Sequence, residues 1–198
     1  MSERLRVTSY SFELLPFSHP DREGWTGEID GFGVVTVHHE LTKSRKERIG
    51  QARLYGNGFP DGLFRGLGPG KPSLDEPYMF MGGERVEVTY NARGLRHRDR
   101  ALRLTQGERR YTYTSLGFGK SAELRRADVR VSVGPGRRVE VPTSGLTCAG
   151  EVSGPADATD LAFALLFEAV DTASLTLGGA LVSAPFSFLQ HRPDGGVV

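Results

Sequence analysis

Residues 156–171 read ADATDLAFALLFEAVD, and this stretch decides the fold. Asp157 is a favoured N-cap residue, Asp160 puts negative charge in the first turn beside the positive end of the helix dipole, and Gly178 and Gly179 follow the far end. The predicted helix, 157–175, has roughly 18 residues and a length of about 27 Å. Asp160, Ala164, Glu168 and Asp171 share one narrow polar stripe, whereas Leu161, Phe163, Leu165, Leu166, Phe167 and Val170 cover most of the remaining surface. So wide an apolar surface must be buried on several sides, as it would be in the lumen of a small barrel.

The residues upstream supply the sheet. Val86, Val88 and Tyr90 lie on one face of a strand, Leu102 and Leu104 on one face of the next, and Tyr111 and Tyr113 continue the meander. Val129, Val131 and Val133 alternate with polar residues, and Val139 and Val141 follow, which predicts a hairpin turning at Gly134, Pro135 and Gly136. Earlier in the chain, 5–14 reads as a strand, 16–24 as turn chemistry, 34–41 as a firm β-branched strand and 42–51 as a solvated turn or strand end. Short strands separated by glycine-rich turns argue against a doubly wound α/β fold. The expected class is mainly β, an antiparallel barrel or sandwich, with one long, buried C-terminal helix.

Between 56 and 83 the chain carries eight glycines and prolines at 60, 69, 72 and 77. That composition predicts a long Gly/Pro-rich loop, and long loops in compact domains tend to be functional or mobile. At 198 residues the whole chain, 1–198, reads as a single β-rich domain.

With 25 Lys and Arg against 24 Asp and Glu, the formal charge of +1 provides no global field for nucleic acid or an anionic membrane. Lysine occurs only at 43, 46, 71 and 120. The lone Cys148 makes no internal disulfide, the first residues carry no apolar stretch typical of a signal peptide, and the expected compartment is a reducing cytoplasm. The most apolar window, 161–170, is about half the ~20 residues that span a bilayer and contains Glu168.

Residues 117–121 (GFGKS) resemble the end of a phosphate-binding P-loop, but Thr114 stands where the first glycine is needed and no helix follows. Glycines 66, 68 and 70 lack the strand-turn-helix frame of a dinucleotide loop. His38, His39 and Glu40 include two residues on one strand face, too few for a metal site, so neither metal nor other cofactor is expected. Cys148 sits among small residues without a neighbouring His and reads as a small buried hydrophobe. Asp160, Glu168 and Asp171 are expected to pair with Arg from adjoining strands or to reach solvent at a barrel mouth. The one local basic patch is Lys43, Arg45, Lys46 and Arg48, the expected binding residues for an anionic lipid or other phosphate-bearing partner.

Asp157, Asp160, Leu161, Ala162, Ala164, Leu165 and Asp171, with the meander over 110–141, resemble the C-terminal third of the tubby and LURP-one-related superfamily. That resemblance implies a roughly twelve-stranded barrel wrapped around a C-terminal helix. It also implies phosphoinositide binding, membrane tethering or a scramblase-like role, without assigning any lipid-binding residue. The leading expectation is a non-enzymatic, tubby-like binding or scaffold module with a lipid or protein partner. The alternative is a small-molecule-binding barrel or barrel enzyme, with a pocket under 56–83 and polar contacts from Tyr111, Tyr113 or His38. An apolar helix filling the lumen would exclude that alternative, whereas an open lumen would support it.

Overall fold

A computed structural model describes residues 9–41, 49–68, 70–91, 100–117, 120–140 and 143–176. Among these described residues, twelve strands form a closed antiparallel barrel: β1 (Ser9–His19), β2 (Arg22–Ile29), β3 (Gly33–Glu40), β4 (Ile49–Gly56), β5 (Gly62–Leu67), β6 (Tyr78–Met81), β7 (Glu84–Thr89), β8 (Leu102–Gln106), β9 (Arg109–Ser115), β10 (Ala122–Arg126), β11 (Val129–Val139) and β12 (Gly145–Ser153). Each strand pairs with the next in sequence, and β12 returns to β1. Closure removes every free edge, so the alternation of side chains sorts cleanly into lumen and exterior.

The lumen is filled by α1 (Ala158–Leu166), which packs on β3, β4, β5, β10 and β11. Asp157 caps it: one carboxylate oxygen accepts from the backbone N–H groups of Thr159 and Asp160, and the Asp160 carboxylate accepts in return from Asp157 N–H. Every helical residue from Asp160 to Leu166 is buried. Phe163 packs on Tyr111 with ring centroids 4.6 Å apart, and Phe167 meets Tyr113 at 4.8 Å and Phe64 at 5.8 Å. These inward-pointing aromatics join helix and wall into one core.

The helix is shorter than the predicted 157–175. Its last turn tightens into a 3₁₀ turn at Phe167–Ala169, Val170 is extended, and a second 3₁₀ turn covers Ala173–Leu175. The cause is tertiary. Asp171 N–H donates to Pro72 O at 2.8 Å, and Asp171 forms a parallel bridge with Ser73, so backbone pairing across the barrel end replaces helical hydrogen bonds.

Nor is 56–83 a loop throughout. It contributes β5 and β6 to the wall and buries Phe59, Phe64, Leu74, Met79 and Met81. Gly62 and Gly66 face inward, where an added Cβ would lie 3.2 Å from the Leu166 side chain and 1.9 Å from Ser73 O, respectively. They permit close approach to the helix and to the chain crossing the mouth, so composition that resembles flexibility encodes tight packing.

Two turns also shift. The expected hairpin at Gly134–Gly136 is absent: β11 runs straight through it, with an irregularity in its pairing to β12 between Pro135 and Arg138. Neither glycine has a positive φ; an added Cβ at Gly134 or Gly136 would strike Ser121 or Thr147. Likewise 16–19 belongs to β1, with Pro16 opposite Trp25, because Pro16 falls where β1 leaves β12 for β2.

Candidate ligand cavity

The barrel has two chemically different ends. At the helix N-terminus, Arg126 of β10 holds the fully buried Asp160, and Arg109 of β9 reaches Asp157 at 2.6 Å. Asp160 thus finds the arginine partner expected of it, Asp157 gains one in addition to its expected capping role, and this end is cross-braced.

Among the described residues the lumen is not filled at the helix C-terminus. A cavity of about 510 Å³ opens there, lined by Trp25 of β2, Lys71, Tyr113 of β9, Cys148 of β12, Phe167 and Glu168 among others. The filled axis and the open end coexist because α1 stops at Leu166 and the chain then crosses the mouth.

Each polar group at this end has a definite place. Trp25 Nε1–H donates to Leu146 O at 2.9 Å, which fixes the indole across β1. Lys71 Nζ donates to Glu168 O at 2.9 Å and stands 5.4 Å from the centre of the Trp25 ring. An ammonium there meets both the negative pole of the helix and an aromatic face.

The Glu168 carboxyl differs from the other helix acids. No hydrogen bond reaches it among the described residues, and burial pushes its pKa up to about 7 despite the attraction of Lys71. Burial, reinforced by the Glu168 charge, also raises the Tyr113 hydroxyl and the Cys148 thiol well above their usual ranges. A thiol raised in this way is the reverse of an activated nucleophile.

On β3 the side chains separate. His39 points inward, with Nε2 3.2 Å from Glu23 Oε1 and Nδ1 unpartnered among the described residues; burial and the nearby Lys71 charge lower its pKa to about 4. His38 points outward between Phe17 and Tyr55, and burial lowers its pKa as well. Gly24, opposite both Phe17 and His38, leaves room for their rings to meet. Among the described residues no group of three potential metal ligands occurs.

Of the residues expected to contact a small molecule, only Tyr113 lines the cavity; Tyr111 packs beside Phe163, and His38 lies outside the barrel. Lys43, Arg45, Lys46 and Arg48 lie outside the described residues. The sequence reading missed Trp25 and Lys71 and expected an arginine partner or solvent for Glu168. One available signal was the rarity of lysine, since both described lysines, Lys71 and Lys120, line this cavity.

No family model, curated protein or solved structure matches this chain. Among the described residues, no helix is long and apolar enough to cross a membrane.

Proposed function

We propose that this chain is a non-enzymatic, tubby-like binding module whose ligand seat is the cavity at the C-terminal end of its internal helix. The observation that carries the reading is the Glu168 carboxyl, which accepts no hydrogen bond among the described residues and lies beside an aromatic wall in about 510 Å³ of space. Binding pockets are typically concave and largely apolar, with a few convergent polar groups and a perturbed acid, and the cavity has each of these features. The tubby-like part of the reading rests on the sequence resemblance carried by Asp157, Asp160, Leu161 and the meander over 110–141. The raised Cys148 thiol favours binding over nucleophilic catalysis.

Trp25, the only tryptophan, lies in the cavity wall and reports on its occupancy. A fragment set followed by Trp25 emission and by amide chemical shifts should contain members that perturb Trp25, Tyr113 and Thr172 together. If every hit instead maps to the barrel exterior, the cavity is not the ligand seat.

A further inference from the structure

Resting on that reading, we propose that the cavity recognises a ligand bearing an ammonium group on an apolar body, with the ammonium paired to the Glu168 carboxylate and the body against Trp25, Tyr113 and Phe167. Three observations converge on this chemistry. The cavity wall is aromatic on several sides, and ring faces attract cations. Its floor is the end of the helix, where the backbone dipole is negative. The protein already seats one ammonium of its own there, Lys71 Nζ, on the Glu168 carbonyl and the Trp25 ring.

Lys71 does not use up the site. It bonds the backbone oxygen of Glu168, while the carboxylate one side chain away accepts no hydrogen bond among the described residues. Asp171 adds a second carboxylate to the lining, and Lys120 is exposed. A ligand ammonium would satisfy Glu168 and offset the cost of ionising a carboxyl in a partly desolvated position.

Binding should therefore favour the ionised acid. The other titratable groups lining the cavity are Lys71, Lys120, Tyr113, Cys148 and Asp171, and His39 lies close enough to sense Lys71. Tyr113 and Cys148 are displaced upward and His39 downward, which leaves Glu168 as the group shifted into the neutral window.

The test uses three probes of similar shape, 2-phenylethylammonium, 3-phenylpropanoate and 3-phenylpropan-1-ol, titrated against the full chain by Trp25 fluorescence. The ammonium probe should bind best, about tenfold or more tighter at pH 8 than at pH 5.5, and Glu168→Gln should weaken it by a similar factor without altering affinity for the alcohol. Preference for the carboxylate probe, or unchanged ammonium binding by Glu168→Gln, would overturn the proposal. Equal affinity for alcohol and ammonium would leave the cavity as a ligand seat but refute ammonium recognition. If no probe binds, ammonium recognition and the cavity reading both fail.

Discussion

The Arg126 guanidinium grips both oxygens of Asp160, Nε to Oδ1 and a terminal nitrogen to Oδ2, each at 2.6 Å. Asp160 is fully buried and also completes the helix cap through Asp157 N–H, so a single carboxylate ties the barrel wall to the start of the internal helix. Removing one partner of such a pair leaves an uncompensated charge, which costs far more than the intact pair contributes. Arg126→Ala should lower stability by about 3–5 kcal/mol in urea denaturation. A loss below about 1 kcal/mol would mean that water reaches Asp160 and replaces the guanidinium.

Phe167 sits between Tyr113 and Phe64 at the point where the α-helix gives way to a 3₁₀ turn. Phe167→Ala removes a fully buried ring and should cost about 3–5 kcal/mol, read as a lower thermal midpoint. An unchanged midpoint would contradict the packed lumen.

Glu168 has the opposite pH signature from most structural acids. Its folded pKa is raised from 4.5 to about 7, so between those values the native state holds more protons than the unfolded state. Stability from this group is thus present below about pH 4.5 and is lost as pH rises through about 7. Glu168→Gln should match wild type at pH 4.5 and exceed it at pH 8 by about 1–3 kcal/mol. Equal stabilities at both pH values would show that the carboxyl is solvated.

His39 titrates with the contrary sign. Its folded pKa falls from 6.5 to about 4, so its contribution is present above pH 6.5 and is lost as pH drops through about 4. Replacing His39 with Gln should make stability less sensitive to acid over that interval, measured as the difference in urea midpoint between pH 7 and pH 4. An unaltered difference would place the imidazole in water.

Gly66 has an inward site occupied by Ser73 O, 1.9 Å from where a Cβ would stand. Gly66→Ala should therefore push away the segment that brings Lys71 and Pro72 across the mouth, and hydrogen exchange at Ser73 and Asp171 should accelerate. In wild type, amides of Phe64 and Met79, paired between β5 and β6, should exchange slowly. Fast exchange there would restore the reading of 56–83 as a loop.

The class of the fold is legible in the residues alone. Alternating residues in short strands and a helix apolar around most of its circumference call for an antiparallel barrel or sandwich packed on that helix to bury both. The Asp157 cap and the burial of Phe163, Leu166 and Phe167 were legible for the same reason: capping and periodicity act over a few residues. Where the helix stops depends on long-range contacts, because Asp171 pairs with Pro72 and Ser73, about a hundred positions earlier. Such contacts also make Gly66 and Gly134 close-approach positions in strands, since a missing Cβ has the same appearance in sequence whether it serves a turn or a neighbour. The candidate site belongs to this second group. Trp25, Lys71, Cys148 and Glu168 come from four distant parts of the chain, and barrel closure, which no local pattern expresses, brings them to one mouth.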